Sequence, residues 1–274
     1  MPLEPLTLQM MANRAALTRW LTWISLATVF ATACWFLSQW QFSRAEEVQK
    51  ANEIVLANYE RTPVALEELL PQEANWDKTL EYRQVKVSGN YLPENTFLIR
   101  NRPNAGYPGF LQLVAFKTDS ETIIWIERGW LPTGSKQDAP DLIPTVDQTH
   151  REITVRLRPT EPKLDRGAPD GQLASIDLST ASSGLVGSVY EQAYGRLVTE
   201  FPELPKGEPM PMPELNQGNH LSYAMQWLLF ALMAFGAVYW TISQDRRRAA
   251  GLAPRKLKFL TKDTDAEAED KLLG

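Results

Sequence analysis

The sequence predicts an α+β membrane protein in which two transmembrane helices flank an extracytoplasmic, mainly antiparallel β domain, a small barrel or sandwich. Three observations lead there. Two long apolar runs carry no formal charge, basic residues gather on the chain-end side of each run, and the stretch between them breaks into short alternating segments.

The first run, Trp20 to Ser43, reads WLTWISLATVFATACWFLSQWQFS. The second, Leu221 to Ser243, has 23 residues. That length gives roughly 35 Å of helix at about 1.5 Å per residue, more than a hydrocarbon core of about 30 Å. The first run is too long and too rich in tryptophan for a cleavable leader, and no small-x-small site follows it. Arg14 and Arg19 precede the first span; Arg246, Arg247, Arg248, Arg255, Lys256 and Lys258 follow the second. Basic flanks favour the cytoplasm, so both termini are expected there and roughly Arg44 to Asn219 outside. The expected organisation is a cytoplasmic tail over 1–19, a span over 20–43, the outer domain over 44–219, a second span over 220–244 and a disordered cytoplasmic tail over 245–274. Within the outer domain the proline-rich segment 202–215 reads as an extended return linker.

Arg44 to Glu214 carries 18 basic and 26 acidic side chains. That balance disfavours nucleic acid and anionic lipid as partners of the outer part. Cys34, the one cysteine, lies in the first span, so the outer domain must fold on its core without a disulfide.

Arg44 to Tyr59 continues the first span at helical spacing, and Thr62-Pro63 reads as the start of a short helix carrying Leu66, Leu69 and Leu70. From Glu81 the pattern alternates. YRQVKVSG, TFLIR, FLQLVAF, TIIWIER and EITVRLR read as strands, with NYLPEN supplying a turn. Gly184 to Glu200 fits strand or helix equally.

The chain has no G-x-S-x-G, no H-E-x-x-H, no paired cysteines and no phosphate-binding glycine loop, so nothing points to an enzyme. Two segments stand out instead. In ERGWLP, Glu127 to Pro132, a cation, a bend and a large ring stand together. Either Gly129 permits a bulge, Trp130 closes the core and Arg128 pairs with a carboxylate, or Arg128, Gly129 and Trp130 form a contact patch for a partner or the membrane. In HLSYAMQW, His220 to Trp227, one helix side carries His220, Tyr223, Ala224, Trp227 and Ala231. Either His220, Tyr223 and Trp227 form a polar-aromatic belt at the membrane interface, or His220 is an axial ligand for haem iron. Ala224 and Ala231 would then leave room for a flat macrocycle, or else let the first span pack closely through Ala27 and Ala31.

The pieces W-Q-x-x-R (Trp40, Gln41, Arg44), Y-x-x-V-x-V-x-G (ending at Gly89), N-R-x-x-x-G-x-x-G-F (Asn101 to Phe110), R-G-W-L-P and H-L-S-Y-A-M-Q-W follow in this order. Together they resemble the surfeit-locus family of cytochrome c oxidase assembly proteins. The resemblance implies a two-span chaperone of respiratory-chain biogenesis that assists delivery or insertion of haem a, held transiently, into oxidase subunit I. Subunit I, assembly intermediates, haem A synthase and membrane lipid are the implied partners. The family histidine maps onto His220. Two departures stand out: Glu127 occupies a place where the family usually has asparagine, and Val155 to Arg158 lacks a usual glycine. The alternative is a structural two-span envelope protein such as a polysaccharide co-polymerase, which would have a mostly helical outer domain.

Overall fold

The computed structural model describes residues 5–71 and 75–255, with side chains from residue 14 onward. The expected tail beyond residue 255 lies outside the described residues. The chain divides into two compact units, residues 1–48 with 217–274, and residues 49–216.

The first unit is helical. Helix α1 spans Pro5–Asn58, its last turns belonging to the second unit, and helix α4 spans His220–Ala249. Arg14–Asn58 and His220–Ala249 are long and apolar enough to cross a membrane, and they fit a membrane protein. On α1 the less exposed positions recur as Trp20, Ala27, Ala31, Cys34, Ser38 and Gln41. On α4 they recur as His220, Ala224, Trp227, Ala231, Ala234 and Val238. Both series alternate steps of three and four or their sums, the spacing of one helix face. Small residues on that face let the backbones approach, and Ser38 Oγ donates to the Ala224 carbonyl at 3.1 Å.

The second unit is built on one mixed sheet. Its strands are β1 (Val64–Ala65), β2 (Gln84–Ile99), β3 (Gly109–Thr118), β4 (Thr122–Pro132), β5 (Arg151–Pro159), β6 (Gln172–Leu173), β7 (Ser188–Val189) and β8 (Ala193–Phe201). The long neighbours β2–β3, β3–β4, β5–β8 and β2–β5 are antiparallel, while β4–β8 and the three short strands pair in parallel. The pairings β2–β3–β4–β8–β5–β2 therefore run in a closed circuit. Helix α2 (Leu66–Leu69) and helix α3 (Leu178–Ala181) are single turns beside it.

The consecutive apolar residues of β3 and β4 have a two-sided explanation. Val114, Phe116, Ile124 and Ile126 enter one core with Val85, Val87, Tyr91, Ile153 and Val155. Leu111, Leu113, Ala115, Ile123 and Trp125 enter a second core with Ile176, Leu178 and Ala181. Alternate residues point to opposite faces of a strand, so strands buried on both faces need apolar side chains at every position.

Three local expectations are corrected. NYLPEN is not a turn: β2 runs through it, with a register shift between Leu92 and Thr96. Pro93 has no N–H for the ladder and sits in that irregularity, its carbonyl accepting from Thr96 Oγ1 at 2.9 Å. The short helix begins after Ala65 rather than at Thr62-Pro63, because Val64 and Ala65 first pair with Val85 and Lys86. And β4 does not stop at Arg128 but continues to Pro132. A bulge opposite Gln112 absorbs the extra residue there, since Leu111 faces Trp130 while Leu113 faces Glu127. Gly129 takes φ +116, and a Cβ on it would meet the Gly207 carbonyl carbon at 2.6 Å. Glycine is thus required by conformation and by close approach. The ambiguous stretch from Gly184 becomes strand, in β7 and β8.

Candidate functional site

His220 is the first residue of α4. Its Nδ1 lies 2.9 Å from Gln41 Oε1 on α1. An amide oxygen only accepts, so in a neutral ring this contact places the proton on Nδ1 and leaves the Nε2 lone pair for another partner. Among the described residues Nε2 has no hydrogen-bond partner. Gly218 contributes to that access: a Cβ there would lie 3.3 Å from Nε2. At the other end of the helix pair, Arg19 and Trp20 Nε1 both donate to Asp245 Oδ2, at 2.7 and 3.0 Å, and the Arg246 guanidinium stands 5.4 Å from the Trp20 ring centre. The two helices are thus tied by polar contacts near both ends of their apolar stretches.

The aromatic residues expected beside His220 are not equivalent. Trp227 shares the less exposed face and meets Phe230 edge-on at 5.8 Å. Tyr223 is 50 % exposed and lies off the face that carries Ala224. Ala224 is fully buried and carries the Ser38 contact, so of its two readings the helix-packing one describes it. In the sequence Gln41 stands out only as part of the W-Q-x-x-R motif. The signal that could have singled it out is a lone amide beside a charge-free run, where a polar group needs a partner.

The ERGWLP segment forms a second polar centre, in the β unit. Arg128 is 1 % exposed and Trp130 5 %, so neither side chain is offered at the surface of this unit. Arg128 donates to Glu200 Oε1 at 2.7 Å, and Tyr91 O–H donates to Glu200 Oε2 at 3.0 Å. The guanidinium also stands 5.0 Å from the Tyr91 ring centre. The pairing with a carboxylate, the core-closing ring and the glycine bulge are the structural reading of this motif. The neighbouring side chain Glu127 is fully buried and accepts from Arg196 Nε at 2.9 and 3.0 Å.

Burial pushes the Glu127 carboxyl above its ordinary value of 4.5 despite the facing Arg196. Burial, and then the Glu127 charge, push the nearby Tyr194 phenol up to about 12. For a carboxyl whose folded value is raised, the favourable contribution is present below the unfolded value and is lost as pH rises through the folded one. Glu127→Gln removes this titration and keeps an acceptor for Arg196. Measured by urea denaturation at about pH 5 and about pH 8, the native chain should lose stability relative to the variant as pH rises. A gain would reverse the assigned direction.

Two membrane-length helices at the ends and a closed circuit of strands between them define the class, a helix-flanked β protein with a histidine at the head of its second helix. The chain belongs to the SURF1 family, whose sequence profile matches residues 28–232. It is 28 % identical over 244 residues to an uncharacterized SURF1-like protein of Mycobacterium bovis, covering 85 % of this chain and 89 % of that protein. It is 27 % identical over 186 residues to a SURF1-like protein of Rickettsia bellii, covering 64 % and 74 %. With a SURF1-like protein of Rickettsia conorii it shares 24 % over 237 residues, covering 83 % and 93 %. The profile match runs from the first apolar helix into the second and spans all five motif pieces, Trp40 to Trp227.

Proposed function

We propose that this chain is a non-enzymatic assembly factor for cytochrome c oxidase that assists delivery of haem a into subunit I, with His220 as the iron ligand. The observation that carries the reading is the geometry of His220 within a family match that includes it. Nδ1 is engaged by Gln41, and Nε2 has no partner among the described residues. A neutral imidazole with one engaged and one available nitrogen is the donor an axial haem site uses. His220 would hold the iron through Nε2, with Trp227 and Tyr223 offering aromatic surface about two turns and one turn further along α4. When bound, the group supplies the redox-active iron that the oxidase needs. The chain's own part is to bind it, orient it and give it up.

On this reading the protein lies in the cell inner membrane with both termini in the cytoplasm, supported by Arg246, Arg247 and Arg248 in the last turn of α4. The β unit is then periplasmic, and its closed strand circuit favours the barrel over the sandwich. Subunit I and its assembly intermediates are the partners, with haem A synthase as the source and membrane lipid as the surroundings. A structural co-polymerase with a helical outer domain suits the eight-stranded sheet poorly.

The test is His220→Ala in cells that make haem a. Alanine favours helix, and a span loses a polar group, so the variant should reach normal level in the membrane. Co-purified haem should fall several-fold, and oxidase should mature with less haem a. His150 is the control. It is exposed and lies 3.0 Å from Asp119 Oδ1 in the β unit, and His150→Ala should change neither readout. Full haem occupancy in the His220 variant would overturn the ligand role.

A further inference from the structure

We propose that Gln41 is the positioning residue for His220: its amide oxygen holds the proton on Nδ1 and so keeps the Nε2 lone pair available. This rests on the reading of His220 as an iron ligand, but the geometry behind it stands apart from that reading.

A neutral imidazole carries one proton, and the hydrogen bond made by one nitrogen decides the state of the other. The contact between His220 Nδ1 and Gln41 Oε1 is 2.9 Å, ordinary for N–H···O. The pair is not held by these two side chains alone. Three residues before Gln41, Ser38 Oγ donates to the carbonyl of Ala224, four residues after His220. Ser38 and Ala224 are both fully buried. One antiparallel rung therefore fixes the register of the next, and Gln41 is carried to His220 by the helix packing. The rigid partner restricts ring rotation as well as tautomer. Acceptors of this kind, bonded to the far nitrogen of a ligating histidine, typically change metal affinity about 10–100-fold when removed. A purely structural glutamine, contributing only to helix pairing, would leave the choice of tautomer untouched.

The experiment uses the full chain in lipid nanodiscs with ¹⁵N-labelled histidine. A His150→Gln background leaves His220 as the reporting ring. In the protein without haem, at a pH where the ring is neutral, the nitrogen shifts should show Nδ1 protonated and Nε2 bare. Gln41→Leu should shift the ring toward the Nε2–H tautomer, whereas Gln41→Glu, which keeps an acceptor, should retain Nδ1–H. An Nε2–H ring in the unaltered chain, no change in Gln41→Leu, or loss of Nδ1–H in Gln41→Glu would each overturn the proposal.

Titration with ferric haem then supplies a separate arm. Gln41→Leu should weaken binding about 10-fold or more, with an altered ligand-field spectrum, and Gln41→Glu should restore both. If the tautomer switches but affinity and spectrum do not, Gln41 sets the proton without serving ligation, and the positioning role fails while His220 remains the ligand. If His220→Ala binds haem as tightly as the native chain, the ligand reading fails, whatever the tautomer shows.

Discussion

Arg128→Met should destabilise the β unit by about 3–5 kcal/mol, the usual cost of leaving one member of a buried ion pair uncompensated. Arg128 and Glu200 have side chains with no exposed surface, and their atoms meet at 2.7 Å. Methionine replaces the packing of the long stem but supplies no donor to the carboxylate. Glu200 would then keep the Tyr91 O–H and lose its one cation. Tyr91 cannot take over as a charged partner, because a phenol ionises only to an anion; burial in any case holds it well above the usual value of 10, so it stays a neutral donor. Its ring is fixed edge-on to Phe116 at 4.9 Å. The double replacement Arg128→Met with Glu200→Leu removes both charges and leaves the buried tyrosine hydroxyl and, at a longer 3.4 Å, the Leu204 N–H without their acceptor, a cost of about 1–3 kcal/mol for the hydroxyl. The double variant should therefore be more stable than the single one. Urea denaturation of the full chain in detergent, followed by tryptophan fluorescence, measures both. A single-variant loss below about 1 kcal/mol would mean that water reaches Glu200 and that the pair behaves like a surface one.

The reason this pair was not visible in the sequence is its separation. Arg128 and Glu200 stand 72 positions apart, and no local period links them. The same holds for Gln41 and His220, 179 positions apart. Local patterns spoke clearly where one element decides its own fate. The charge-free runs became membrane-length helices, and VKV, TIIWIE and ITVRL became strands because alternation or continuous apolarity suits a one-sided or two-sided sheet. Reading failed where tertiary pairing outvoted residue preference. Asn90, Pro93 and Asn95 are turn formers by composition, yet β3 holds both halves of β2 in one ladder around them. Tyr223 and Ala224 illustrate the limit on a helix: both lie within one turn of His220, and only packing decides that Ala224 faces α1 while the tyrosine ring stays exposed.

Departures from the family pattern have local accommodations. Glu127 stands where asparagine is usual, and Arg196 on β8 lies directly opposite in register. Arg156 and Arg158, in the stretch that lacks the usual glycine, lay their guanidinium groups over Tyr59 at 3.7 Å and Tyr82 at 4.3 Å. Flat cations over aromatic faces keep long charged side chains of β5 at the edge of the core rather than in it.

Trp130→Ala should cost about 3–5 kcal/mol, the range for truncating a large buried aromatic. The indole joins three stretches of chain. Its Nε1 donates to the Arg102 carbonyl at 2.6 Å, in the loop between β2 and β3. Its ring lies against Gly109, where any side chain would collide with it. Its backbone exchanges hydrogen bonds of 2.7 and 2.8 Å with Glu208, so the proline-rich return segment is stitched to the end of β4 rather than free. Met210 of the same segment packs into the core that Trp130 closes. The glycine-containing loop motif and R-G-W-L-P, far apart in sequence, are thus two halves of one contact. Alanine would empty the site and leave the Arg102 carbonyl without its donor. Trp130→Phe keeps most of the volume and loses only the hydrogen bond, so it should cost nearer 1 kcal/mol. Pulse proteolysis of the membrane-embedded chain reads both, and the return segment should become the first site of cleavage in the alanine variant. Native-like resistance in Trp130→Ala with impaired oxidase maturation would instead mean that this ring serves a partner, and that the packing seen around it adds little to stability.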